Sequence, residues 1–291
     1  MLILISDSFD ESLPGKLAEF GEVTHDKARV GEADVVLIRS KTKCDRAYLD
    51  AAPNLKLIIR GGVGLDNVDL EYAKARGITV TNTPQASSVA VAELAMALML
   101  AACSHVIEGH NGLKRGEWLK KQLKRTELYQ KTLGLVGAGR IATEVGKRAA
   151  AFGMTVIAHD PYVSTSEVAA MTSLDDLLAR ADFISLHTPL TDETRGMVNK
   201  DFLAKTKPGV IIVNTGRGKC IVEADMAEAL ESGHVACYAT DVYTSDPPPA
   251  DSPLLSAPRV IMTPHIGASS KENLLRIGDI VVEKIRAFVN G

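Results

Sequence analysis

The sequence predicts an α/β protein built from two doubly wound parallel sheets. Three observations point there. Short β-branched and apolar runs alternate with helical patterns along nearly all 291 residues. These runs are too numerous for one open sheet of ordinary width. A glycine-rich turn then follows one of them directly, in the middle of the chain.

The first group of strands reads "LILIS", "DVVLIR", "LKLIIRG" and "ITVTN", and it ends near Pro84. From about Ser88 a long Ala/Leu/Met helix carries the chain away. Its most apolar window, "VAVAELAMALMLAAC", is interrupted by Glu93 and falls short of the roughly 18 residues of a membrane span, so it reads as a buried helix. A second series starts at Lys131 with "TLGLVG", "TVIAHD", "FISLH", "GVIIVN", "ACYATD" and "VIMTPH". Between these runs, "SLDDLLARA" and "EADMAEALESG" have helical patterning, and the latter closes on Gly233 as a C-cap. Alternation of this kind implies parallel strands with helices on both faces. The two groups are expected to form separate domains that divide near residue 86, and a last helix is expected from about Ser269 to Asn290.

Composition narrows the function. A net charge of −3 gives no basic surplus for a nucleic-acid backbone. Cys44, Cys103, Cys220 and Cys237 are scattered without a C-x-x-C pair, which excludes the common zinc spacings and reads as free thiols in a reducing cytoplasm. The start, "MLILISD", has neither the length nor the cationic leader of a signal peptide. A soluble cytoplasmic protein is expected, with no membrane or nucleic-acid partner and no metal.

The glycine-rich turn is "GLVGAGRIATEVG", in which Gly137, Gly139, Arg140, Ile141 and Ala142 fill a G-x-G-x-x-G/A pattern after a strand. Gly137 permits the tight turn, Gly139 lets backbone approach a pyrophosphate, and the helix start meets its negative charge. A second strand ends in Asp160, about twenty residues on, where an acid accepts hydrogen bonds from an adenosine ribose. That acid repels a 2′-phosphate, so NAD is favoured over NADP. Three polar groups follow other strands of this half: Arg217 in "VNTGRG", Asp246 after "ATDVY", and His265 in "TPHIGASS". Ligands of open α/β sheets gather at carboxyl ends of strands. An imidazole takes a hydroxyl proton near neutrality, a guanidinium binds a carboxylate and polarises a carbonyl, and an acid beside the imidazole orients it. Taken singly, Asp246 before three prolines also reads as a turn initiator.

These segments, with "HTPLTDETRGMVN", resemble the D-isomer-specific 2-hydroxyacid dehydrogenases over nearly the whole chain. The resemblance implies two Rossmann-like domains, a discontinuous substrate-binding one of residues 1–86 with 269–291, to which the last helix returns, and a nucleotide-binding one of residues 87–268, with a homodimer formed through the latter. It makes Arg217 the substrate-binding arginine, His265 the acid/base and Asp160 the ribose acid. Pro189, Thr194, Thr215, Gly216, Asp241, Gly267 and Ala268 match cofactor-lining positions, with Asp241 expected to meet the nicotinamide carboxamide. Asp246 stands where the family carries Glu, one methylene shorter.

Within the family the match is nearest to members that oxidise 3-phosphoglycerate. It implies that amides at Val63 and Gly64 take the substrate carboxylate, while Arg39 and Arg60 serve its phosphate. Lys120, in a basic run, reads either as a solvated charge or as a cation given to a neighbouring subunit. Trp118 is expected to anchor packing. Larger members carry regulatory domains, and none is expected in a chain ending at Gly291. Two other readings are a glyoxylate or hydroxypyruvate reductase, and an NAD(H)-sensing binding protein like the corepressors of this family.

Overall fold

The computed structural model describes residues 1–290. Its contacts divide the chain into two units, Met1–Ala90 with the chain from Ala268 on, and Val91–Gly267. The first division falls inside the helix Ser88–Ser104.

The first unit holds β1 (Leu2–Ile5), β2 (Glu22–Thr24), β3 (Val35–Ile38), β4 (Leu57–Arg60) and β5 (Thr79–Asn82). All pair in parallel, in the order β2-β1-β3-β4-β5. Because successive side chains alternate between faces, Ile3, Ile5, Val35 and Leu37 fill one layer, and Leu4, Val36 and Ile38 the other. The closing helix Lys271–Asn290 lays Ile277, Val281 and Ile285 on the first layer beside Leu13 and Leu17. Each such side chain, fully enclosed, contributes about 1.5–3 kcal/mol. Covered faces explain why β1, β3 and β4 read as nearly continuous apolar runs.

The second unit holds β6 (Thr132–Val136), β7 (Thr155–His159), β8 (Ala170–Met171), β9 (Phe183–Leu186), β10 (Val210–Asn214), β11 (Val235–Thr240) and β12 (Val260–Met262). Their order is β12-β11-β10-β9-β6-β7-β8, all parallel. The chain winds outward from β6 through β7 and β8, then crosses to β9 and winds the other way, so β6 and β9 flank a topological switch point. One face packs Ala92, Ala95 and Met99 of Ser88–Ser104 and Ala142, Val145 and Ala149 of the helix Arg140–Ala151. The other face packs Leu177 and Leu178, Phe202 and Leu203, and Met226 and Leu230, from the helices Leu174–Arg180, Lys200–Ala204 and Glu223–Glu231. The last of these ends as expected, with Gly233 at φ +78°.

All ten strands expected from the sequence are present, together with two that were not, β2 and β8. Both are short edge strands of three and two residues. Trp118 corrects another expectation. At 75% exposure it anchors no packing, because the surrounding segment is a solvated turn rather than a helix face. The four cysteines are free and buried. Among the described residues no single helix is long and apolar enough to cross a membrane, and Ser88–Ser104 spends its apolar surface on the sheet. No group of three His, Cys, Asp or Glu side chains among the described residues could hold a metal ion.

Candidate active site

The last paired residues of six neighbouring strands in the second unit form one row: His159, Val136, Leu186, Asn214, Thr240 and Met262. One residue further come Asp160, Gly137, His187, Thr215, Asp241 and Thr263. The ladder continues into this second row, since Gly137 N donates to His159 O, His187 N to Val136 O, Asp241 N to Asn214 O and Thr263 N to Thr240 O. Alternation puts all six on the face that carries Leu135, Ala158, Val213 and Ala239 below them. Apolar layers thus end in a polar crest at the carboxyl edge, spanning the switch point, where open α/β sheets bind ligands.

At one end of the crest the fingerprint turn is held by its own acid. Asp160 Oδ2 accepts from Ala138 N at 2.9 Å, and its Oδ1 accepts from Tyr162 N at 2.8 Å. Gly137 has φ +94°, and a Cβ there would stand 2.9 Å from the His187 backbone, so only glycine fits the turn. Gly139 differs, because a Cβ there meets no protein atom within 4 Å. It caps the helix Arg140–Ala151 without a side chain, leaving the first amides open to a ligand. Arg140 and Ile141 form the first helical turn, and Ala142 is buried against the sheet. In mid-crest the Thr215 hydroxyl is buried with no hydrogen-bond partner among the described residues. A buried hydroxyl without a hydrogen bond is costly, which fits a polar ligand lying across this edge. Together the open amides, the ribose-type acid and the orphaned hydroxyl suit a dinucleotide.

Sequence reasoning did not single out His187. The residue is half-buried, but its Nδ1 is shut off from solvent without a hydrogen-bond partner, while Nε2 lies 2.9 Å from Ser185 Oγ. Desolvation pushes this imidazole down to about 4, so it is neutral near pH 7. Its signal in the sequence was positional: it sits one residue past an apolar strand, as Asp160, Thr215 and Asp241 do.

The loops beyond β10, β11 and β12 carry Arg217, Asp246 and His265. His265 Nδ1 pairs with Asp246 Oδ2, so the shorter acid does reach the imidazole. His265 has φ +53°, a left-handed conformation that costs an ordinary residue about 1–2 kcal/mol. Asp241, only 2% exposed, accepts from Thr263 Oγ1 (2.6 Å), Ile266 N (2.8 Å) and Gly267 N (2.8 Å), so it brackets His265 on both sides. The Tyr243 hydroxyl donates to Thr263 O at 2.7 Å. Burial, reinforced by Asp241 and Asp246, pushes its phenol up to about 12, which keeps it a donor. A Cβ on Gly218 would stand 2.1 Å from Tyr243 backbone atoms. The Arg217 loop therefore presses directly on the strand exit that leads to Asp246. Arg217 itself donates to Gly216 O at 2.8 Å, and its carbonyl accepts from Asn214 Nδ2.

The other expected residues make local contacts of their own. Pro189 O accepts from Thr194 Oγ1 at 2.7 Å, which closes their loop on itself. Ala268 falls in the first unit, where its carbonyl accepts from Arg39 Nη2 (2.9 Å) and Asn273 Nδ2 (2.8 Å). Arg39 also contacts Ser8 O, and burial lowers the proton affinity of its guanidinium. Arg60, at the end of β4, folds over Gly62, where a Cβ would collide with its Nη1. Val63 and Gly64 follow it in an open loop, and Lys120 is exposed in the second unit.

Comparison with known proteins agrees with this geometry. Residues 96–267 match the family model for the D-isomer specific 2-hydroxyacid dehydrogenase, NAD binding domain. The chain is 45% identical over 302 residues to D-3-phosphoglycerate dehydrogenase of Mycobacterium tuberculosis, covering 100% of this chain and 57% of that protein. It thus spans little more than half the length of that relative. It is 49% identical over 259 residues to hydroxypyruvate reductase of Thermotoga maritima, covering 88% of this chain and 85% of the relative. Among solved structures, NAD-dependent formate dehydrogenase from Staphylococcus aureus in complex with NAD superposes with a TM-score of 0.89 at 32% identity, over 99% of this chain and 95% of that one. The chain belongs to the D-isomer specific 2-hydroxyacid dehydrogenase family, and its second unit carries the family's NAD-binding domain.

Proposed function

We propose that the protein oxidises D-3-phosphoglycerate to 3-phosphohydroxypyruvate with NAD, at the entry to serine synthesis in the cytoplasm. NAD supplies the hydride acceptor. His265 takes the substrate's hydroxyl proton: with Nδ1 donating to Asp246, Nε2 keeps its lone pair free for that transfer. Asp246 holds this tautomer and stabilises the imidazolium once the proton arrives. Arg217 binds the substrate carboxylate and polarises the developing carbonyl oxygen, assisted by amides at Val63 and Gly64. Asp160 takes the adenosine ribose, and Thr215 and Asp241 serve the nicotinamide end. The observation that carries this reading is the Asp246–His265 pair beside a dinucleotide-type crest.

Arg39 and Arg60 carry the substrate choice. The Arg39 guanidinium makes its hydrogen bonds to carbonyl oxygens, with the Asp7 carboxylate acting on it through space, and it is half-buried. A second anionic group on the substrate, such as a phosphate, would use this cation in addition to the carboxylate held by Arg217. The protein is proposed to act as a homodimer through its second unit, where Val106, Ile107, Leu113 and Trp118 are exposed. Lys120 is the cation offered to the second copy.

The 49% match to a hydroxypyruvate reductase across most of both chains favours a second reading, reduction of an unphosphorylated 2-oxo acid. The deciding experiment measures NADH formation or consumption with 3-phosphoglycerate, glycerate, hydroxypyruvate and glyoxylate, in wild type and Arg60→Ala. Loss of one charge-assisted contact should raise KM for 3-phosphoglycerate by about 10- to 150-fold and leave glycerate nearly unchanged. Equal changes for both substrates would eliminate the phosphorylated one. NADH binding without turnover across the whole set would instead identify a nucleotide sensor.

A further inference from the structure

We infer that Asp241 is the positioning residue for the acid/base histidine: its carboxylate locks the 263–267 loop in the one conformation that presents His265 to Asp246. This inference rests on the reading of His265 as the acid/base. Thr263, Ile266 and Gly267 each donate to Asp241, two to Oδ1 and one to Oδ2, and His265 lies between them. The loop needs such a hold. His265 is a non-glycine residue at φ +53°, and its amide turns back onto Thr263 O after Pro264. A residue held left-handed persists only where its surroundings over-determine it.

The geometry of the clamp is selective. An ionised carboxylate has about four acceptor positions, and three are spent on this loop. A Cβ on Gly267 would stand 3.0 Å from Asp241 Oδ2, so a side chain there would crowd the carboxylate that the Gly267 amide holds. Asp241 itself cannot move away. It is buried, and its amide is tied to Asn214 O at 3.0 Å in the strand ladder. The crest thus sets His265 through a carboxylate anchored in the sheet, independently of any bound nucleotide. The titratable groups that hydrogen bonds bring to this loop are Asp241, Asp246 and Tyr243.

The test compares wild type, Asp241→Asn and Thr263→Val in the nucleotide-free protein with 15N-labelled histidine, His265→Gln identifying the resonance. In wild type the His265 Nδ1 proton, bonded to a carboxylate, should give a downfield signal. Asp241→Asn replaces an acceptor-only group with one that offers a competing NH2, and the signal should disappear while circular dichroism stays native. In turnover with the nucleotide saturating, kcat should fall by about a hundredfold, the scale of an ångström-sized misplacement, whatever nucleotide affinity the substitution also removes. Thr263→Val removes one of the three donors and should weaken the same signal, which decides the matter if Asp241→Asn does not fold. An unchanged signal, with the loss confined to NADH affinity, would overturn the inference and leave Asp241 a cofactor contact alone. Full activity in His265→Gln would defeat the functional reading instead, whatever the resonance shows.

Discussion

Replacing His187 by glutamine should flatten the pH dependence of stability between pH 7.5 and 5. The imidazole is held at about 4 by desolvation, against about 6.5 in an unfolded chain. Between those values the unfolded state binds a proton that the folded state does not, so stability falls as pH falls through the window. At about 1.36 kcal/mol per unit, the full loss is about 3 kcal/mol once the pH is below 4, and about 2 kcal/mol of it is gone by pH 5. The window isolates this group from carboxylates such as Asp34 and Asp182, which are held below their ordinary range and titrate under it. Equilibrium urea unfolding at pH 7.5 and pH 5, followed by far-ultraviolet circular dichroism, measures the difference. Glutamine keeps a partner for Ser185 Oγ, so its absolute stability at pH 7.5 matters less than its slope. Parallel pH dependence in wild type and His187→Gln would refute the assignment of a neutral, desolvated imidazole in the crest.

Asp246→Asn should lower kcat, because the imidazole loses the carboxylate that fixes its Nδ1 proton; full kcat in this variant would make Asp246 a turn residue only. Thr215→Val removes a hydroxyl that has no partner among the described residues, so thermal stability should hold or rise slightly while NADH affinity, read by fluorescence titration, falls. If affinity is untouched, the dinucleotide does not lie on Thr215. Gly218→Ala inserts a methyl group 2.1 Å from the Tyr243 backbone, and should cost about 1–3 kcal/mol in urea unfolding together with a drop in kcat.

Much of this architecture was legible because its causes are local. Strands buried on both faces are written as unbroken apolar runs, and the helices between them carry caps such as Ser173 and Asn199 within their own sequence. The two missed strands lack that cause. Glu22–Thr24 lies half-exposed at a sheet edge and Ala170–Met171 spans two residues, so neither leaves an apolar run to read. Gly137, Gly139 and Asp160 were readable because tight turn and acid stand within one βα unit. The Asp241 clamp was not, since its donors lie 22 to 26 residues away and meet it only after β11 and β12 pair. His187 was hidden for a similar reason. On its own strand it is an ordinary polar terminus, and it becomes conspicuous only when the strand register sets it beside Gly137 and Thr215. The reach of Asp246 to His265 likewise depended on how closely two loops approach, which side-chain length alone does not fix.

Strand length in the second unit is a count that cannot drift. Removing one residue from the interior of β11 would hand the position of Asp241 to Val242, and the same slip in β10 or β9 would present Gly216 or Thr188. Length changes can therefore accumulate only where the chain enters the sheet. Gly209 and Gly233, in the turns leading into β10 and β11, have open space where a Cβ would stand, and both hold a left-handed backbone that a change of length must keep. At the opposite edge Gly218 is wedged against its neighbour and has no such space. Grafts, tags or split points placed on the entry side would leave the chemistry intact, so that side is where the molecule can be enlarged.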